Sequence, residues 1–166
     1  MRGRALPGQV SSFFAYPTAG GDSADELVFL RDRSEEDWER LLAHTEDVRF
    51  AAGDVLIRAG ERDRSLYVLA SGRLELLLPG ESGDIRIGTI EPRTVVGEMA
   101  FLDGKPRSAT LLALTDGELY ELRFDAFETL AARYPELGRA ILLDLGRILA
   151  GRLRLANEAL DLARRR

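Results

Sequence analysis

The chain has 166 residues, of which 45% are hydrophobic and 31% are charged, a composition typical of a globular domain with a sizeable core. Its formal net charge of −5 disfavours a protein that binds nucleic acid through a general basic field. The absence of cysteine excludes disulfides and thiolate metal sites and fits the cytoplasm, where we expect the protein to act, and no apolar run reaches the ~20 residues that span a bilayer.

The first 26 residues are predicted to form a flexible arm that precedes a single domain over residues 27–166. This segment is rich in glycine, proline and serine and has no sustained hydrophobic periodicity. Three aromatic residues leave open a second interpretation, in which the arm docks on the domain or on a neighbour: Phe13, Phe14 and Tyr16.

A helix is predicted shortly after the arm. Leu27–Leu30 can form a short helical turn, and Ser34 then begins a capping-box pattern with an acid, Asp37, three residues further on. The apolar residues that follow share one helical face at spacings of three and four, and they are Trp38, Leu41 and Leu42. We expect this face to pack against the core.

From residue 48 to residue 123 the pattern changes to short β-strands separated by turn signals. The eight predicted strands are Val48–Phe50, Val55–Ile57, Ser65–Ala70, Arg73–Leu78, Ile85–Ile90, Thr94–Val96, Thr110–Leu114 and Leu119–Leu122. This number and spacing of strands predicts a mainly β domain with flanking helices, built as a sandwich, a jelly roll or a barrel.

Two helices are predicted to complete the domain. Asp125 and Glu128 resemble another capping box, for a helix that ends near Arg133. Pro135 breaks this helix and can begin the next one, which we expect to run to about Ala163.

The long helix carries more apolar residues than one packed face needs. Four of them recur every seven residues, namely Ile141, Ile148, Leu155 and Leu162. We interpret this repeat, which Gly151 and Arg152 interrupt, as the contact of a homodimer. The alternative is a helix that packs only on its own domain.

Chemistry is concentrated in the stretch Gly97–Thr110, GEMAFLDGKPRSAT, which crosses between two predicted strands. Arg107 offers a planar fork of donors that suits a phosphate, and Ser108 and Thr110 can donate to the same oxygens. Glu98, at the start of a short helical turn over residues 98–102, can accept a hydrogen bond from a sugar hydroxyl. A 3′,5′-cyclic nucleotide has both a cyclic phosphate and a free 2′-hydroxyl.

Each of these residues also has a simpler interpretation when it is taken alone. Glu98 is then an acid that the helix dipole favours, Arg107 is a solvated surface charge, and the two hydroxyls are ordinary strand residues. The complete run favours the ligand site over these separate interpretations.

The stretch Gly97–Thr110, called the cassette below, resembles the phosphate-binding cassette of the cyclic nucleotide-binding domain family. The residues that match this family's pattern are Gly97, Glu98, Met99, Ala100, Phe101, Pro106, Arg107, Ser108, Ala109 and Thr110. The resemblance extends from about Ser34 to about Asn157 and implies a double-stranded β-roll. It departs from the family at Arg93, where a glycine is common, and at Arg62-Asp63, where Gly-Asp is usual.

The resemblance implies that Glu98 binds the ribose hydroxyl and that Arg107 and Ser108 bind the cyclic phosphate. The remaining predicted ligand-binding residues are Gly97, Met99, Ala100, Ala109, Thr110 and Asn157. Asn157 is included because the family's C-terminal helix covers the base, although a solvated position is an equal alternative. We expect cAMP to be preferred, with cGMP possible, and a regulatory sensor that signals through this helix to an effector protein.

Several other classes of protein are disfavoured. The single histidine excludes the usual cupin metal site, and no Ser-His-Asp set is present, so we expect neither a metal nor catalysis. We expect a free-standing chain without a helix-turn-helix, although the cassette and the helix near Asn157 also resemble domains appended to bacterial sulfate-type transporters. Two rivals to the sensor remain: a ligand-free β-roll scaffold, and a subunit that binds DNA through the tail at residues 164–166.

Overall fold

The computed structural model describes residues 4–5 and 29–164 of the chain. The strands are β1 (Arg4–Ala5), β2 (Glu46–Phe50), β3 (Val55–Ile57), β4 (Ser65–Ser71), β5 (Leu74–Leu78), β6 (Ile85–Ile90), β7 (Val95–Val96), β8 (Thr110–Ala113) and β9 (Gly117–Arg123). The helices are α1 (Glu35–Leu42), α2 (Glu98–Asp103), α3 (Phe124–Arg133) and α4 (Pro135–Arg164). All eight predicted strands are present, with ends that differ by at most two residues.

Two sheets form the β-roll that the resemblance implied. One sheet has the strand order β1–β6–β5–β8–β3, and the other has the order β2–β9–β4–β7. All pairings are antiparallel except that of β1, whose two residues run parallel to the start of β6. The strand β1 lies in the predicted arm and was not foreseen, because two residues are too short to show a periodicity.

The four-stranded sheet is covered on both faces, and this arrangement creates two cores. In β4, Leu66 and Val68 pack with the helices, whereas Leu69 points into the roll between the two sheets. The adjacent residues of β7 divide in the same way, with Val95 on the helical side and Val96 inside the roll. Because successive side chains alternate across a strand, the sheet connects the interior of the roll with the helical layer.

The helical layer confirms the predicted helices but changes several details. The Ser34 hydroxyl accepts a hydrogen bond from the N–H of Asp37 at 3.2 Å, as the capping pattern predicted. Leu41 is fully buried, whereas Leu42 is 36% exposed and does not belong to the packed face. The predicted cap at Asp125 is wrong, since α3 begins one residue earlier and its N-cap residue, Arg123, makes no side-chain capping bond.

The apolar face of α4 is also different from the predicted one. Ile141 and Ile148 are buried in the domain's own core, together with Leu137 and Leu145. They are therefore not available to a second copy of the chain. Of the other two residues of the predicted repeat, Leu155 is partly exposed, and the side chain of Leu162 lies outside the described part of the structure.

The entry of the chain into the domain is fastened to α4. Phe29 and Leu30 are both 2% exposed, and the N–H of Leu30 donates to Oδ2 of Asp144 at 2.5 Å. The rest of the predicted helical turn, Leu27 and Val28, lies outside the described residues, as do the aromatic residues of the arm.

Within the described ranges, no helix is long and apolar enough to cross a membrane.

The two departures from the family pattern differ in their backbone conformations. Arg93 has a φ of +71°, in the left-handed region that favours glycine, and its N–H donates to the carbonyl of Leu69 at 2.8 Å. Arg62 is not among the described residues with positive φ. Only Arg93 therefore carries the strain that a glycine would avoid.

The substitution Arg93→Gly is expected to raise the free energy of unfolding by about 0.5–1 kcal/mol. An L-residue in the left-handed region is destabilised by about 1–2 kcal/mol, and glycine removes this strain. The greater conformational entropy of glycine in the unfolded chain offsets part of the stabilisation. Urea denaturation measures the change. Arg62→Gly, in an exposed turn without positive φ, is the matched control and is expected to destabilise by about 0.4–1 kcal/mol. Equal effects of the two substitutions would contradict the assignment of strain to Arg93.

Candidate functional site

A cavity lies between the cassette and the five-stranded sheet. Its volume is about 50 Å³ and it opens to solvent, so it is smaller than a typical small-molecule site. The sheet contributes an apolar wall from Ile57, Leu76 and Leu111, and Val96 adds to it. The polar side chains of the lining, those of Glu98, Arg107 and Ser108, all come from the cassette.

Arg107 is the most constrained polar residue of the cavity, with only 4% of its surface exposed. Its Nη1 donates to the carbonyl of Gly97 at 3.0 Å, and its Nη2 donates to the carbonyl of Ser65 at 2.7 Å and to Oδ2 of Asp63 at 2.5 Å. The buried Nε has no hydrogen-bond partner among the described residues. One donor of a buried guanidinium therefore remains available.

The backbone of Arg107 is held as firmly as its side chain. Its N–H donates to the carbonyl of Glu61 at 2.8 Å, and its carbonyl accepts from the N–H of Gly60 at 2.7 Å. These two bonds attach the cassette to the β3–β4 loop. The position of the guanidinium is thus determined from both ends of the residue.

Gly97 is required by the close approach of this guanidinium. Its φ is +83°, and a Cβ at this position would overlap Nη1 of Arg107 and lie 2.9 Å from the carbonyl oxygen of Ser65. The first position of the cassette is therefore glycine for two reasons, its conformation and the space that Arg107 occupies.

Asp63 is the carboxylate that balances the charge of Arg107. Burial raises the pKa of Asp63, but the hydrogen bond and positive charge of Arg107, with bonds from Ser65 and Tyr67, outweigh this effect and hold the pKa below its ordinary value. Burial, followed by the carboxylates of Glu121 and Asp63, raises the pKa of Tyr67, so its hydroxyl stays protonated and donates. The sequence analysis treated Asp63 only as part of a departure from Gly-Asp, although the aspartate was the retained half of that pair.

Glu98 forms a second ion pair, which is buried, with a residue from the long C-terminal helix. Glu98 is 4% exposed, and its Oε1 accepts a hydrogen bond from Nη1 of Arg152 at 2.5 Å. Nη2 of Arg152 donates to the carbonyl of Val95 at 2.9 Å. A buried carboxylate needs such a partner, because an unpaired charge is strongly disfavoured away from water.

Arg152 was missed as a site residue by the sequence analysis. It was interpreted only as an interruption of the heptad repeat in the long helix. The sequence offered little signal for it, because Arg147 and Arg154 lie in the same stretch of helix and sequence alone does not show which arginine faces a carboxylate.

The other predicted site residues fall into two groups. Gly97, Met99, Ala100, Ser108 and Ala109 line the cavity, with Met99 51% exposed and the Ser108 hydroxyl 3.8 Å from its sulfur. The remaining two do not line it. The Thr110 hydroxyl accepts a hydrogen bond from the N–H of Ala59 at 3.0 Å, and Asn157 is exposed on α4, five residues beyond Arg152.

The arrangement combines a cationic donor with an anionic acceptor across one cavity. Arg107 and Ser108 can hold an anionic group, and Glu98 can accept a hydroxyl, while the apolar wall can cover a flat ring. No group of three or more potential metal ligands occurs within the described part of the chain. The site is therefore built for a small organic anion that carries a hydroxyl group.

Comparisons with known proteins agree with this geometry. The family model of the cyclic nucleotide-binding domain matches residues 47–134. Glutaminase 2 of Bradyrhizobium diazoefficiens is 37% identical over 113 residues, which cover 68% of this chain and 18% of that protein. The Cyclic AMP receptor protein of Thermus thermophilus is 30% identical over 128 residues, which cover 76% of this chain and 57% of that protein.

A solved structure agrees as well. The cyclic nucleotide-binding domain from Methylobacillus flagellatus superposes with a TM-score of 0.72 and 26% sequence identity, covering 84% of this chain and 80% of that one. The chain spans about a fifth of the length of Glutaminase 2 and little more than half of the Cyclic AMP receptor protein. The match over residues 47–134 shows that the chain belongs to the cyclic nucleotide-binding domain family.

Proposed function

We propose that the chain is a regulatory sensor module that binds a 3′,5′-cyclic nucleotide in the cavity and performs no catalysis itself. The observation that carries this proposal is the buried guanidinium of Arg107, whose Nε has no partner among the described residues and which lines the same cavity as Glu98. Buried donors in proteins are almost always satisfied. A ligand phosphate oxygen would satisfy this one with a charge-assisted bond.

The two ends of the ligand would use different residues. The cyclic phosphate would bind Arg107 and Ser108, and the ribose 2′-hydroxyl would donate to Glu98. Adenine is our preferred base, and one relative of 30% identity is named for cyclic AMP. Guanine is the alternative, since another relative of 30% identity is a cGMP-dependent protein kinase. A cytoplasmic location fits this ligand and the absence of cysteine.

The long helix α4 is proposed to carry the signal. A ligand hydroxyl would donate to the carboxylate of Glu98, which already accepts a hydrogen bond from Arg152. Ligand binding would therefore change the contact that holds α4 to the cassette. A ligand shifts a conformational equilibrium only through its different affinities for the two states. Competition or sharing at Glu98 supplies such a difference, and an effector protein would respond to the new position of α4.

The exposed face of α4 is proposed to contact a second copy of the chain or the effector. Leu142 and Leu153 are 42% and 62% exposed, although both are large and apolar. They lie eleven residues apart, which is close to three full turns and places them on one side of the helix. Gly146 and the partly exposed Leu149 lie on the same side of the helix, at spacings of three and four. We therefore propose this stripe as the contact surface, in place of the predicted repeat that contains Ile141 and Ile148.

The first prediction concerns nucleotide affinity. Calorimetric titration is expected to show micromolar or tighter binding of cAMP to the wild-type chain and a loss of about 10²-fold in Arg107→Ala, because a buried charge partner of the phosphate is removed. Arg62→Ala, an exposed arginine outside the cavity lining, is the matched control and is expected to bind like the wild type. A titration with cGMP decides the base.

A well-folded wild-type chain that binds neither nucleotide would reject the sensor. The ligand-free scaffold would then be the better account, and the search for a protein partner would start from the face of α4.

The second prediction concerns the role of α4. Ligand is expected to change amide hydrogen exchange around Arg152 in the wild-type chain, and the change is expected to fall to less than half in Arg152→Met, because the link to Glu98 is lost. Arg154→Met, at an exposed neighbouring position, is the control and should respond like the wild type. An undiminished response in Arg152→Met would show that the signal does not pass through this ion pair.

The third prediction concerns association. If the stripe on α4 joins two copies, Leu153→Glu is expected to convert a dimer into a monomer in analytical ultracentrifugation, because it introduces charges into the centre of an apolar contact. Arg154→Glu, next to the stripe, serves as the control. A monomeric wild-type chain would assign the stripe to an effector instead.

A further inference from the structure

Arg64 joins the end of the cassette helix to the rest of the domain. Its Nε donates to the carbonyl of Phe101 at 2.8 Å, and its Nη2 donates to the carbonyl of Leu102 at 3.2 Å. Both carbonyls belong to the last turn of α2, where a helix has no internal partners for its C=O groups. A cation at this end also suits the helix dipole. The side chain of Arg64 therefore caps the C-terminus of α2.

The same residue caps the beginning of α3. The carbonyl of Arg64 accepts a hydrogen bond from the N–H of Phe124, the first residue of α3, at 3.1 Å. The N-cap residue of α3, Arg123, provides no side-chain capping bond, so the backbone of Arg64 takes over this role. The guanidinium of Arg64 also lies 3.4 Å from the centre of the Phe124 ring, as a cation–π contact.

Aromatic packing reinforces this junction and extends it towards α4. Phe101 of α2 packs edge-to-face against Phe124 and Phe127 of α3, with ring centres 5.2 Å and 5.4 Å apart. Phe127 and Leu130 lie in the same core as the buried residues of α4. The helices α2, α3 and α4 thus share one continuous set of packing contacts.

We propose that Arg64 is a positioning residue that couples the cassette helix α2 to helix α3. Asp63, its neighbour, accepts a hydrogen bond from Arg107, so two consecutive residues attach two parts of the cassette, the end of α2 and Arg107, to the segment before β4. The coupling of α2 to α3 stands on its own contacts. Its use in transmitting the presence of a ligand rests on the proposed function.

Hydrogen exchange of the ligand-free chain tests the coupling directly. Arg64→Met keeps an apolar side chain over Phe124 but removes the donors to α2. It is expected to accelerate exchange about fivefold in both segments together, residues 101–104 and residues 124–127, because charge-assisted hydrogen bonds to helix carbonyls are lost. Exchange in β5 and β6 is expected to stay unchanged.

The controls separate coupling from general destabilisation. Arg62 is an exposed neighbour, and the interactions of the described residues include none between it and α2 or α3. Arg62→Met is therefore expected to leave the exchange of both segments unchanged. Arg64→Lys keeps the charge but loses the planar fork and is expected to restore part of the protection. Acceleration in only one of the two segments, or in neither, would overturn the proposal.

A second measurement tests transmission of the ligand state. Arg64→Met is expected to bind cAMP within about threefold of the wild-type affinity, since Arg64 does not line the cavity, while the ligand-induced change in the exchange of α3 falls to less than half. A merely structural role would not separate affinity from response in this way. An equal response in wild type and variant would overturn transmission through Arg64. If the wild type binds no nucleotide, the proposed function fails, and the ligand-free exchange still decides the coupling.

Discussion

The buried guanidinium of Arg107 is the charge on which the site depends. A charged group with 4% exposure is tolerable only when acceptors surround it, and Gly97, Ser65 and Asp63 supply them. These acceptors come from the cassette and from the start of β4, so satisfying one side chain joins two distant parts of the chain. The glycine at position 97 follows from the same constraint, because a larger residue would occupy the space that the guanidinium needs.

Glu98 is a buried anion and requires a cationic partner, which comes from the helical layer of the fold. Its carboxylate is buried and is paired with Arg152 of α4, so the helical layer contributes a charge to the cavity region. The cassette therefore has one ion pair with the β-roll, in which Arg107 is buried and Asp63 is partly exposed, and one buried ion pair with the C-terminal helix. Under the proposed function, a ligand that bears both an anionic group and a hydroxyl would contact both pairs at once.

The four-stranded sheet and Arg64 explain how a local event in the cassette can have distant effects. Alternating residues of β4 and β7 belong to different cores, so the sheet is packed on both faces and moves little relative to either. The short helix α2, by contrast, is held at its end by the side chain of Arg64 and by Phe101. The sheet thus provides a frame that is packed on both faces, and the short helix α2 is joined to the helical layer by contacts at named residues.

The strands, the cassette and the long helix could be predicted from the sequence, because hydrophobic periodicity, turn residues and a long unbroken motif are local signals. Seven of the nine site residues predicted from the sequence line the cavity, whereas Thr110 and Asn157 do not. The partners of the buried charges could not be predicted, because they depend on contacts between residues that are distant in the sequence. Asp63 and Arg152 lie 44 and 54 residues from Arg107 and Glu98. Which face of α4 is buried was likewise decided by contact with the sheet, since Ile141 and Leu142 are equally apolar neighbours and only packing distinguishes them.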